Sequence, residues 1–277
     1  MEERSFADDK LVLVTGATDG IGKETARALL RSGARVLLHG RTAEKAARVA
    51  DELRRDTRRG ATAVLIADFT SLAAVRRLAS EVRERHARLR IVVNNAGVYS
   101  PEQRLTEDGF EQTLQVQYLA PFLLTTELLP RLREHEPARV INVTSRLHRD
   151  GDLDLLLCGP SPYDGHKAYA SSKLLLMLFT RELAERLRGT EVAVNAVHPG
   201  GVDTKLLRAG YGGRGVPVAE GARPVVHLAT AVRTGTLSNR YFERFKETDP
   251  DPRTYNDEVR ARLWERTERA LRLARAA

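Results

Sequence analysis

The chain has 277 residues, one cysteine and a formal net charge of +8. That length can bury a full core without metal or disulfide staples, and the lone Cys158 excludes an internal disulfide and any multi-cysteine zinc or iron–sulfur site. The charge does not point to nucleic acid: 38 of the 45 basic residues are arginines mixed with acids along amphipathic stretches, with no basic block interleaved with aromatics.

The N-terminal residues 1–9 are polar and lack the apolar segment of a secretory signal. The longest apolar runs, such as Leu174–Phe179, fall far short of the about 20 residues that span a bilayer. A cytoplasmic protein without a membrane anchor is the expectation. Strands are predicted at Lys10–Thr15, Arg35–His39, Ala63–Ala67, Ile91–Asn94, Val140–Thr144 and Val192–Val197. Their near-continuous apolar character is that of parallel strands buried on both faces. Helical patterns fill the intervals at Gly20–Ser32, Thr42–Thr57, Ser71–His86, Glu111–Glu134 and Ala168–Leu187. This alternation reads as a single α/β domain with a doubly wound parallel sheet, and places chemistry in the loops beyond the carboxyl ends of the strands. Residues 199–217 are Gly-rich, too loose for regular structure throughout, and are expected to act as a substrate lid. A last helix is expected within 253–277, at Tyr255–Arg275, with Trp264 as core packing beside Leu263 and Leu271.

The first strand runs into TGATDGIG, and glycines 16, 20 and 22 permit a tight turn with close approach of a pyrophosphate to a helix N-terminus. Alone, such glycines also suit a plain structural turn. Between a strand and a helix they point to a dinucleotide. At the end of the second strand the chain reads His39-Gly40-Arg41, with no acid before Glu44. An arginine there suits the 2′-phosphate of NADP, whereas an acid would suit the 2′-hydroxyl of NAD. Arg41 is therefore the candidate for NADP(H), its alternative being a solvated residue at a helix start. Asp19 adds a negative charge that keeps NAD(H) as the second choice.

The spacing of this turn, Asn94-Asn95-Ala96-Gly97 after the fourth strand, Tyr169-Ala170-Ser171-Ser172-Lys173, and His198-Pro199-Gly200 followed by Val202 and Thr204 resemble the short-chain dehydrogenase/reductase family, in its order and at its intervals. GIGKETARALLRSGA, HGRTAEKA and the C-terminal RYF…LWERTERAL resemble its retinol-dehydrogenase-like branch. The resemblance implies a Rossmann-like fold with a seven-stranded parallel sheet and a carbonyl or alcohol substrate. It also implies assembly as a dimer or tetramer. Cofactor contacts are implied for Gly16, Thr18, Asp19, Gly20, Ile21, Gly22, Asp68, Phe69, Asn94, Ala96, Gly97, Pro199, Gly200, Val202 and Thr204. Asp68 on its own also reads as a helix-start acid.

Tyr169 and Lys173 are four residues apart and share one helix face. A free phenol ionises near about 10, too high for ready proton exchange at neutral pH, and a nearby ammonium favours the phenolate. Tyr169 is thus the expected proton exchanger and Lys173 its tuner and a holder of the nicotinamide ribose. The resemblance also implies that Ser145, at the end of the fifth strand, polarises the substrate oxygen, with Thr144 as a fallback hydroxyl. Where the family usually has an asparagine that orders a water beside the lysine, this chain has Gln117. That departure leaves open a second function, a catalytically impaired NAD(P)-binding sensor. His148, Cys158 and His166, in the stretch between Ser145 and Tyr169, read as loop residues or substrate contacts, since no further metal ligands stand at suitable spacing.

Overall fold

The computed structural model describes residues 10–135, 137–153, 162–232 and 237–276; Cys158 lies outside them. From the N-terminal side the chain forms β1 (Leu11–Val14), α1 (Gly20–Arg31), β2 (Arg35–Gly40), α2 (Ala43–Thr57), β3 (Ala63–Ile66), α3 (Leu72–Arg85) and β4 (Leu89–Asn94). A short α4 (Gln112–Leu114) passes through a π-helical segment, Gln115–Leu119, into α5 (Ala120–Glu134). β5 (Ala138–Val143), a 3-10 turn (Arg146–Asp150), α6 (Gly165–Arg186) and β6 (Val192–His198) follow. The C-terminal part holds α7 (Lys205–Tyr211), α8 (Val218–Thr230), β7 (Arg240–Glu243), β8 (Lys246–Glu247), a second 3-10 turn (Pro252–Tyr255) and α9 (Asp257–Ala276).

The strands form one sheet in the order β3-β2-β1-β4-β5-β6-β7-β8. Seven are parallel; the two-residue β8 pairs antiparallel with β7 and makes the sheet eight-stranded rather than seven. Successive residues of the inner strands β1, β4 and β5 enter opposite cores. Leu11, Leu13, Val92 and Val140 pack with α3, α5 and α6, while Val12, Val14, Val93 and Ile141 pack with α1, α2 and α8. Each such side chain contributes about 1.5–3 kcal/mol through burial, so both faces are tightly specified. Trp264 of α9 packs against Phe122 and Phe179 at centroid distances of 4.7 and 6.0 Å, a core role as the sequence implied.

Three features depart from the expected pattern. The single predicted helix Glu111–Glu134 is interrupted by the π segment. Residues 199–217 contain the seven-residue α7, whose hydroxyl cap Thr204 accepts from the Leu207 N–H. Helix α8 was not anticipated, and β7, the seventh parallel strand the resemblance implied, had no predicted position. The strand order reverses between β1 and β4, and at such a switch point the loops leaving the two strands diverge and open a crevice.

Candidate functional site

The crevice is a cavity of about 610 Å³ above the carboxyl ends of the strands, lined from the loops that follow β1 to β6. The turn after β1 supplies Gly16, Thr18, Asp19, Gly20 and Ile21. Gly16 and Gly20 adopt φ of +63° and +50°, and a Cβ at Gly16 would lie 2.8 Å from Ala96 Cα. Glycine is therefore required on both counts at 16. Gly22 does not line the cavity; a Cβ there would lie 2.3 Å from Gly16 O, so its part is to let the turn close on the helix. Asn95 stitches the β1 and β4 loops together, its Nδ2 donating to Thr15 O at 2.9 Å and its N–H to Thr15 Oγ1 at 2.9 Å. Asn94, expected at the cofactor, instead turns into the sheet and donates to Thr125 Oγ1 and Asn142 Oδ1 at 2.9 and 2.8 Å. The geometry puts Asn95 at the cavity wall in its place.

One strut of this turn was not legible in the sequence. His39, 3% exposed, accepts at Nδ1 from the Gly16 N–H at 3.1 Å, which fixes the proton on Nε2, 3.0 Å from Ala67 O. Its ring stacks on Phe69 at 4.5 Å. Burial pushes the imidazole down to about 4, against a hydrogen bond with Ala67 that raises it. The ring therefore stays neutral and ties the ends of β1, β2 and β3.

At the far end of the cavity stand Arg41, Thr42, Lys45, Asp68 and Phe69. A Cβ at Gly40 would fall 2.5 Å from Thr18 Cγ2, so a glycine is needed where β2 passes the turn. Asp19 is not a free negative charge: its carboxylate meets Lys45 Nζ at 2.7 Å and Lys205 Nζ at 3.0 Å. Partial burial pushes that carboxyl up, but the hydrogen bonds from Lys45 and Lys205 outweigh it and hold it at about 2. Asp19 thus enters the turn accompanied by two lysines.

At the other end, Ser145, Tyr169 and Lys173 meet, each under 10% exposed. Helix α6 begins at Asp164, whose side chain accepts from the His166 and Lys167 N–H groups, and this sets Tyr169 and Lys173 one turn apart on the cavity face. Burial pushes the Tyr169 phenol up to about 12, opposed by a hydrogen bond from Ser145. Lys173 Nζ donates to Val143 O at 3.0 Å and lies 5.6 Å from the Tyr169 ring centre; burial pushes it down to about 7. Ser145 caps the following 3-10 turn, its Oγ accepting from the Leu147 N–H at 3.2 Å, so the hydroxyl proton is free to point at Tyr169. Thr144 Oγ1 turns instead toward Lys173 O at 3.5 Å.

Gln117 lies in the π segment, where a widened turn often marks a functional site. Its Nε2 donates to Ser172 Oγ at 3.1 Å and that hydroxyl donates to Tyr169 O at 2.7 Å, while its Oε1 is buried without a partner. Pro199, Gly200, Val202 and Thr204 line the cavity as expected, with Gly200 at a φ of +98°. Leu206, Leu207 and Tyr211 of α7 line it as well. His166 sits with Tyr99 and Tyr211 at ring distances of 5.4 and 4.8 Å, whereas His148 is wholly buried behind the cavity wall. Among the described residues no group of three His, Cys, Asp or Glu side chains is placed to hold a metal ion.

The sequence family described as short chain dehydrogenase matches residues 10–211. The chain belongs to the short-chain dehydrogenases. Within that family it falls in the retinol-dehydrogenase-like branch. It is 41% identical over 265 residues to retinol dehydrogenase 12 of Bos taurus, covering 92% of this chain and 84% of that one. Retinol dehydrogenase 13 of Homo sapiens is 37% identical, covering 95% and 85%. Among solved structures, a protein from Mycobacterium paratuberculosis superposes with a TM-score of 0.80 at 29% identity, covering 96% and 94%. A short chain dehydrogenase from Escherichia coli CFT073 complexed with NADPH gives 0.75 at 26%, covering 88% and 100%. As a short-chain dehydrogenase the chain is an oxidoreductase of CH–OH and C=O groups. No helix among its described residues is long and apolar enough to cross a membrane.

Proposed function

We propose that this dehydrogenase uses NADP(H) to interconvert an apolar, mid-sized carbonyl compound and its alcohol through Ser145, Tyr169 and Lys173. The observation that carries the reading is the convergence of those three side chains on the same cavity as the glycine turn and Arg41. The residues present fit a dinucleotide: Gly16 and Gly20 leave no side chain over the turn, helix α1 offers first-turn N–H groups without intrahelical acceptors, and Arg41 and Lys45 supply cations at the ribose end. When bound, the nicotinamide supplies or takes up the hydride.

The chain's own residues handle the oxygen. Ser145 donates a hydrogen bond to the substrate oxygen and polarises it. Tyr169, kept protonated by burial, gives its proton to that oxygen as negative charge develops during reduction. The Lys173 ammonium then stabilises the phenolate left behind. In oxidation the proton runs the other way, from the alcohol to the phenolate form of Tyr169 that the Lys173 ammonium stabilises. The substrate's apolar body is accommodated by Leu147, Leu206, Leu207 and Tyr211. Titrating NADPH and NADH side by side by nicotinamide fluorescence, with Arg41→Ala as control, tests the cofactor assignment. Tighter NADPH binding that is lost in the variant is expected. Tighter NADH binding would overturn the preference, and binding of neither would overturn the reading. Screening apolar aldehydes such as nonanal and benzaldehyde for NADPH oxidation tests the substrate class.

A further inference from the structure

We propose that His148 is a positioning residue for Ser145, and that the C-terminal turn Pro252–Tyr255 acts through it to hold the serine hydroxyl at the reaction centre. The inference rests on the assignment of Ser145 under the proposed function. Ser145 stands at the start of the Arg146–Asp150 turn, and a 3-10 turn this short has poor intrinsic hydrogen-bond geometry. Something else must fix the hydroxyl's direction.

The His148 ring is 0% exposed and does not line the cavity. Its Nε2 lies 3.0 Å from the Asp251 backbone nitrogen, which can only donate. Nε2 is therefore the acceptor, the ring proton sits on Nδ1, and Nδ1 donates to Ser145 O at 2.7 Å. The same carbonyl also receives the His148 backbone N–H at 3.1 Å. The ring edge rests on Tyr241 of β7 at 5.1 Å.

Asp251 is in turn immobilised. Arg253 Nε and Nη2 meet its two carboxylate oxygens at 2.8 and 2.9 Å. The same guanidinium donates to Gly151 O at 2.7 Å and Arg149 O at 2.9 Å, at the far end of the serine's turn. Two points of attachment, one at each end of Ser145–Gly151, thus come from residues about a hundred positions later. A network whose every member is paired specifies one geometry, and removal of one member leaves buried groups unsatisfied. Catalytic hydroxyls misplaced by about 1 Å lose on the order of 100-fold in rate.

The test uses the full chain and the variants His148→Leu, His148→Asn, Arg253→Gln and Ser145→Ala. His148→Asn keeps a donor near the Nδ1 position, so it is expected to recover part of what His148→Leu loses. Hydrogen exchange of the 145–151 amides is expected to rise at least tenfold in His148→Leu and Arg253→Gln while NADPH affinity stays within threefold. With the fastest aldehyde of the panel, kcat should fall at least tenfold. The isotope effect from 4-deuterated NADPH should rise toward its intrinsic value, a readout that a smaller folded fraction cannot produce. Unchanged exchange in both variants would overturn the inference whatever the activity. Faster exchange with kcat and isotope effect unchanged would overturn it too, provided Ser145→Ala has lost turnover. Full turnover in Ser145→Ala would instead overturn the role of Ser145 itself, and the inference with it.

Discussion

Lys173 carries an ammonium that its surroundings disfavour: burial holds it at about 7, against 10.5 for an unconstrained lysine. Between those two values the unfolded chain binds more protons than the native one, so this residue makes stability rise with pH from about 7 upward, and its destabilisation is nearly complete at pH 7 and below. Lys173→Met, which fills the same volume without a charge, is expected to raise Tm at pH 7 by several degrees, on the order of 1–3 kcal/mol, while abolishing turnover. A lower Tm in differential scanning calorimetry would mean that the bond to Val143 O outweighs the desolvation. Gln117 offers a second comparison. Its amide is committed to Ser172 and its Oε1 is unpaired, so a shorter side chain would vacate space beside Gly97, where Oε1 now stands 2.9 Å from a would-be Cβ. Gln117→Asn is expected to change kcat by less than about threefold if the glutamine is a tolerated variant; a gain beyond tenfold would mean that it impairs proton delivery and would favour the sensor function.

Helix α7 is weakly anchored. None of its side chains is fully buried, Leu206, Leu207 and Tyr211 face the cavity, and Lys205 reaches Asp19 at the glycine turn. Elements with few buried contacts open most readily, and closure over a site excludes water. Saturating NADPH is therefore expected to slow tryptic cleavage after Lys205 and Arg208 at least fivefold, as followed by mass spectrometry. Unchanged cleavage would count against a lid. The Lys205–Asp19 pair is half exposed, so it guides closure more than it stabilises the closed form.

At the scale of the molecule, the neutral His39 that joins three strand ends predicts a pH dependence of the fold. Its pKa is depressed from 6.5 to about 4, so its stabilisation is complete above about 6.5 and is lost as pH falls toward 4. The loss approaches about 3 kcal/mol over that window. His39→Gln is expected to show a lower Tm at pH 7 but a shallower fall between pH 6.5 and 4.5; parallel curves would show that His39 does not set the slope. The ends of β1 to β6 were legible in the sequence within about two residues because strands buried on both faces leave continuous apolar runs, and the edge strand β3 keeps such a run although its Val64 and Ile66 are exposed. Strand β7 was not, since only Tyr241 and Phe242 of its four residues are buried. Helix α8 carries Gly221 and Pro224, which read as breakers until packing against α1 overrides them. The π segment widens one turn and shifts the register of the helix, but residues 115–125 are buried on every side, so no polar face shows that shift in the sequence. Ser145, Tyr169 and Lys173, which the family resemblance singled out, all line the cavity, whereas His39 and His148 depend on partners 28 and 103 residues away.

In the proposed reaction Tyr169 exchanges the proton at the substrate oxygen. Single-turnover oxidation of bound NADPH by the fastest panel aldehyde, comparing wild type with Tyr169→Phe, tests it most directly. The phenyl ring keeps the packing but has no proton to give, so the rate should fall by about 10³-fold with NADPH affinity within threefold of wild type. A rate within tenfold of wild type would contradict the account, because proton delivery would then come from elsewhere in the cavity.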